Sequence, residues 1–185
     1  GFFKIITISE KKLDEEFDLT LETTHHGPIL NKPTLYIEIG STEDEWNRAD
    51  VADCWAASLS HVLGMSDDSN PYVDNNLDVM IGFGGGHYAP RHKSIILNSN
   101  VYLGHVIANY SLIFDDNDSS EKPTGPWINC IVNTVESTRI SFPNNTIFAH
   151  LDRKSFKGWQ RSAIIEKLGE LGIPVRRGKE ILQRE

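Results

Sequence analysis

The chain predicts an α/β fold, a mostly parallel or mixed sheet flanked by helices, in one domain over residues 1–185. Three observations lead there. Strand-like and helix-like segments alternate along the chain. No internal repeat and no linker divides it. Its 185 residues, 39% hydrophobic and 24% charged, are enough to bury a core without disulfides or a structural metal.

Residues 2–9 are the first candidate strand, and the charged residues 10–16 a short helix. Leu35-Tyr36-Ile37-Glu38-Ile39 alternates apolar and polar between Pro33 and Gly40, as a strand does. Ser41 then has the form of a helix N-cap, with Glu43, Asp44 and Glu45 against the positive end of the dipole. The helix it opens carries Ala52, Trp55, Ala56, Leu59, Val62 and Leu63 on one face and stops at Gly64. Residues 65–76 have the composition of a surface loop. Val79-Met80-Ile81 begins a buried strand that runs into the glycines, with no clear helix opening after them. Residues 101–107 form a strand, and 115–125 a long polar loop. Pro126 opens a helix whose Trp127, Ile128, Ile131, Val132 and Val135 share a face. Residues 146–151 are a strand, 158–171 a helix closed by Gly172 and Pro174, and 173–176 a last short strand.

The formal net charge is -8, from 18 Lys+Arg against 26 Asp+Glu. Such a total speaks against a protein that coats nucleic acid by bulk charge. Its distribution is uneven: residues 151–185 carry a net of +4 and residues 1–150 a net of -12. The basic end is either a solvated helix face or a local phosphate footprint on an acidic body. Two cysteines, Cys54 and Cys130, and no signal peptide point to free thiols in a reducing cytoplasm. No apolar run approaches the ~18 residues of a membrane span.

Five of the seven histidines fall in three short segments. In Thr24-His25-His26-Gly27-Pro28 the two imidazoles would point to opposite faces of a strand, so one of them reaches a given site. An imidazole there is a general base or a zinc ligand, or simply part of a surface turn. Gly82-Phe83-Gly84-Gly85-Gly86-His87-Tyr88-Ala89-Pro90-Arg91-His92 follows a buried strand. Its glycines let a ligand approach the backbone and offer N–H groups to an anion or oxyanion. No Gly-Lys-Ser/Thr follows, so it is not a P-loop, and His87 stands where a dinucleotide fingerprint has its third glycine. Glu38 is either a solvent-facing edge residue or a carboxylate that orients a histidine or a metal. Gly104-His105 is either a core histidine or a ligand near His87. His61 and His150 have simpler structural readings. Any zinc site has to be assembled from separate segments, because neither Cys-x-x-Cys nor His-Glu-x-x-His occurs.

Taken in order, these segments resemble a known family. Glu22-Thr23-Thr24-His25-His26-Gly27-Pro28, Tyr36-Ile37-Glu38-Ile39-Gly40-Ser41-Thr42-Glu43-Asp44-Glu45-Trp46, Gly84-Gly85-Gly86-His87-Tyr88-Ala89-Pro90-Arg91 and Gly104-His105 look like the D-aminoacyl-tRNA deacylases of the archaeal and plant type. Leu151-Asp152-Arg153-Lys154 and Leu171-Gly172-Ile173 resemble that family's C-terminus. The resemblance implies zinc-dependent hydrolysis of the ester joining a D-amino acid to tRNA, on a fold like that of phosphorylases and peptidyl-tRNA hydrolase. It implies catalytic roles for His26, His87 and Glu38, and substrate contacts for Gly84, Gly85, Gly86, Tyr88 and Arg91. Candidate metal ligands are His25, His26, His87, His105 and Glu22. The likeness covers the family's C-terminal portion, since motifs the family carries further upstream do not occur between Gly1 and Glu22. Two other functions fit the residues: a non-catalytic domain binding RNA or a protein, and another metal-dependent hydrolase on the same scaffold.

Overall fold

The computed structural model describes residues 17–24, 34–40, 42–67, 74–115 and 122–183. The expected strand at 2–9, the helix at 10–16, the N-cap Ser41, and both His25 and His26 lie outside these residues. Contacts group the chain into two compact units, Gly1–Leu19 with Leu30–Asp74, and Thr20–Ile29 with Asn75–Glu185.

In the first unit the single helix expected after Ser41 is two: α1, Glu43–Trp46, and α2, Ala49–Val62. The break falls at Asn47 and at Arg48, whose ψ of 101° is extended. Arg48 clamps Asp50 through two bonds, Nε–Oδ1 at 2.9 Å and Nη2–Oδ2 at 2.6 Å. That guanidinium holds the Asp50 carboxyl down at about 2. Gly64, at φ 74°, ends the segment as its position predicts. Residues 34–40 form no strand, and Leu35, Tyr36 and Ile37 are exposed. Alternation marks a face but supplies no partner, and a strand exists only through its ladder.

The second unit is built on three parallel strands: β1, Val79–Phe83; β2, Tyr102–Ile107; and β3, Ile147–Leu151, in the order β2-β1-β3. All five residues of β1 are buried, as expected of a central strand covered on both faces. The strands alternate with α3, Pro90–Leu97; α4, Trp127–Ser141; α5, Gly158–Glu170; and α6, Gly178–Leu182.

Ile81, Phe83, Ala149 and Leu151 point to one face, where they meet Ile131 and Val135 of α4 and Ile164 and Leu168 of α5. The opposite face, with Gly82 and His150, is covered by α3 and α6. A Cβ on Gly82 would stand 2.6 Å from His92 Cδ2, and one on Gly178 would stand 3.5 Å from Ile95 Cδ1. Gly82 is thus the residue that lets α3 lie on the sheet. Helix α3 is a correction, because no helix is expected there. Pro90 occupies its first turn, where a missing N–H costs nothing, and His92, Ile95 and Ile96 make its buried face. The expected strand at 173–176 reduces to one parallel bridge, Val175 to Ala149.

Candidate active site

In a parallel sheet the loops that carry chemistry gather at the C-terminal strand ends, where neighbouring connections leave for opposite faces. Strand β1 leads to α3 on one face, and the adjacent β3 leads to α5 on the other. On that rule the candidate site lies where β1 runs into its glycines. Gly84 and Gly85 have φ of 101° and 87°, values that side chains other than glycine rarely adopt. Gly84 N–H donates to the Ile107 carbonyl at 2.8 Å. Gly85 N–H donates to Ser155 Oγ at 2.8 Å, and its carbonyl accepts from Asn109 N–H at 3.1 Å. The loop is thereby tied on one side to the turn Asn109–Ser111, which follows β2, and on the other to the turn Arg153–Ser155, which follows β3.

These bonds narrow the role expected for the glycines. The N–H groups of Gly84 and Gly85 are spent on the scaffold, which leaves the exposed Gly86 as the candidate to meet an oxyanion. A Cβ at Gly84 would also stand 3.0 Å from Ser155 Cβ and from Phe156 Cε2. Gly84→Ala is expected to lower stability by roughly 1–3 kcal/mol. Gly86→Ala, with open space around it, should leave the thermal midpoint unchanged. Equal melting of the two variants would contradict this account.

Residues 21–24 run against the far side of the loop. Thr23 N–H donates to the His87 carbonyl at 3.0 Å, Ala89 N–H to Leu21 at 2.9 Å, and Thr24 N–H to Val106 at 2.7 Å. Glu22 consequently faces Tyr88 in an antiparallel bridge. Its Oε1 lies 3.2 Å from His87 Nε2, with both side chains partly exposed. The His87 ring meets Tyr88 edge-on at 4.7 Å. With the proton on Nε2 shared with Glu22, the lone pair of the neutral ring is on Nδ1. Arg91, in the first turn of α3, pairs through Nε with Asp152 Oδ1 at 3.2 Å. Asp152 also accepts from Lys154 N–H at 3.2 Å, capping the turn after β3.

Of the residues expected from sequence, the structure brings Glu22, Gly84, Gly85, Gly86, His87, Tyr88 and Arg91 together. It places His105 elsewhere. His105 is turned away by a bulge: Met80 pairs with Leu103 but Gly82 with Val106, so β2 carries one extra residue. His105 Nδ1 lies 2.9 Å from Thr138 Oγ1, on α4. That hydroxyl donates its only hydrogen to the Thr134 carbonyl, so the imidazole must donate to it. Burial pushes the His105 pKa down. Glu38 lies in the first unit on an exposed segment outside any strand. Within the second unit the carboxylate beside an imidazole is Glu22, expected among the metal ligands. Asp152, Ser155 and Asn109 complete the candidate site, and no local pattern in the sequence marks them for that role.

Among the described residues no group of three His, Cys, Asp or Glu side chains is placed to hold a metal ion. Glu22 and His87 supply two donors, short of the three or four protein ligands of a zinc site.

Comparison with known proteins places this geometry in context. A family model described as D-aminoacyl-tRNA deacylase matches residues 3–176. A D-aminoacyl-tRNA deacylase of Arabidopsis thaliana is 44% identical over 170 residues, covering 86% of this chain and 54% of the relative. That of Methanosarcina mazei is 36% identical over 173 residues, covering 93% and 48%. A crystal structure of a conserved protein of unknown function superposes with a TM-score of 0.71 at 26% identity, over 99% of this chain and 58% of that one. The chain spans about half the length of the curated relatives it matches.

Proposed function

The chain belongs to the D-aminoacyl-tRNA deacylase family, and from that premise we propose that it hydrolyses the ester of D-aminoacyl-tRNA, releasing the free D-amino acid and tRNA. The observation that carries this is the Glu22–His87 pair beside the Gly84–Gly86 loop at the sheet's C-terminal edge.

The chemistry asked of the site is modest. His87 takes a proton from water as it attacks the ester carbonyl, and Glu22 steadies the imidazolium that forms. The Gly86 N–H faces the oxygen on which negative charge develops. The tetrahedral adduct collapses by expelling the ribose oxygen of the tRNA end, and His87 returns the proton to it. His26 is the other expected base and lies outside the described residues. Chirality requires a pocket that excludes the L side chain by contact.

Zinc is part of this reading through the family resemblance. Were Glu22 and His87 among its ligands, the base would pass to His26, and bound zinc would supply a Lewis acid for the ester carbonyl. Elemental analysis checks it: zinc retained by the chain and lost in His87→Ala supports the assignment, and a metal-free active chain overturns it. Cytoplasmic action fits the two free cysteines, and no described helix is long and apolar enough to cross a membrane.

Release of D-tyrosine from D-tyrosyl-tRNA, compared with L-tyrosine from the L ester, tests the activity. The expected result is rapid release of the D product alone. No release by the intact chain with zinc supplied overturns the enzymatic reading.

A further inference from the structure

Gly85 links two unlike turns through a single residue. Its N–H binds Ser155, in the turn that carries Arg153 and Lys154, and its carbonyl binds Asn109, in the turn that carries Tyr110. Because the strand order is β2-β1-β3, these turns stand on opposite sides of the glycine loop, along the same edge of the sheet. One side offers exposed cations, with Arg153 and Lys154 both at the surface. The other offers an exposed aromatic ring, since Tyr110 is 52% exposed although Leu112, two residues on, is buried. Tyr88, on the loop itself, is 50% exposed.

An exposed aromatic ring on a turn fixed by backbone bonds, with cations on the turn across the glycine loop, matches one ligand chemistry closely. The unpaired end of a polynucleotide presents phosphates to cations and flat bases to aromatic rings. Bulk charge is not needed for such a grip, which fits an acidic body with a local basic stretch.

We propose that Tyr110 is the stacking platform for the last unpaired base of the tRNA, with Arg153 and Lys154 holding the phosphates that lead to it. This rests on the deacylase reading, since it assumes that the ester lies over the glycine loop. It adds to that reading the residues that position the nucleic acid and the direction in which the strand crosses the sheet edge. The turn Arg153–Ser155 is braced for this work: Arg161 Nη1 donates to the Arg153 carbonyl at 3.0 Å and to Phe156 at 2.7 Å, leaving the neighbouring basic side chains free of the task of holding the turn.

Binding of uncharged tRNA to the full chain, followed by fluorescence anisotropy, tests the assignment without requiring turnover. Tyr110→Ala is expected to weaken binding about tenfold, the usual effect of losing one base stack, while Tyr110→Phe keeps the wild-type affinity. A tRNA lacking its terminal nucleotide should bind wild type and Tyr110→Ala alike. Arg153→Ala with Lys154→Ala should reduce the slope of log affinity against log salt by about 1.4, two single-strand phosphate contacts. Wild-type affinity in Tyr110→Ala, or a tenfold loss that persists on the shortened tRNA, overturns the proposal. Tyr110-dependent binding with no release of D-amino acid would keep this inference and sink the deacylase reading alone.

Discussion

Replacing His87 by alanine is expected to lower kcat/KM for D-aminoacyl-tRNA by about 10²–10⁴-fold, the span usual for removing a general base. Loss of the ring should appear in kcat, because the imidazole interacts with the reacting water in the transition state rather than with the bound tRNA. Glu22→Gln keeps a hydrogen-bond acceptor at 3.2 Å from Nε2 but removes the charge that steadies the imidazolium, so a smaller loss in kcat is expected. The two changes should not add. Once His87 is gone, Glu22 has no imidazole to orient, and Glu22→Gln in the His87→Ala background should cost little more. Single-turnover hydrolysis at saturating enzyme reads all four proteins. A His87→Ala rate within twofold of wild type would pass the base to another residue, His26 being the one already singled out.

The pairing behind that expectation also shows where the sequence was legible and where it was not. The three strands and helix α4 follow from apolar patterning, which burial enforces directly: the Trp127, Ile131 and Val135 stripe is buried as its spacing requires. Helix α5 follows from its closing Gly172 and Pro174, and α2 forms where expected although it buries Val51 and Ser58 while Ala52, Ala56 and Leu63 of its expected face are exposed. The glycine loop was legible for the same reason, since only glycine takes the φ that Gly84 and Gly85 adopt. Long-range partners were not. Glu22 meets His87 because residues 21–24 pair with 87–89, and no local pattern announces a bridge across more than sixty residues. Residues 35–39 alternate like a strand, yet they pair in no ladder among the described residues, and Glu38 lies on that exposed segment of the other unit. His105 was displaced by one inserted residue in β2, which changes the face of a side chain without leaving a trace in hydrophobic pattern. Helix α3 escaped because proline and histidine interrupt its apolar spacing. His92 counts as polar in sequence but is fully buried against Gly82.

That burial has a consequence for stability in acid. His92 on α3 and His150 on β3 lie edge to face at 5.0 Å, under the sheet edge that carries the site. His92 Nε2 is 3.4 Å from the His150 carbonyl, which can only accept, so the proton sits on Nε2. The Nδ1 atoms of both rings are buried with no hydrogen-bond partner among the described residues. Burial pushes both imidazoles down, His150 to about 4, and in His150 the neighbouring His92 adds to the effect. Asp152 pulls in the opposite direction and does not prevail. An unfolded histidine takes its proton near pH 6.5, whereas folded His150 stays neutral to about 4. Between these values the unfolded chain binds more protons, so stability rises with pH across the window and falls as pH drops through it. The stabilisation is fully present above about pH 6.5 and lost by about pH 4, a swing of about 3 kcal/mol from His150, with His92 acting in the same direction. Urea midpoints measured from pH 7 to pH 4 should show this decline. His150→Leu retains the volume and the backbone carbonyl that His92 uses, and removes an unpartnered Nδ1 together with the titration. Its urea midpoint should fall less steeply over the same range, and an unchanged slope would assign the acid sensitivity to other groups.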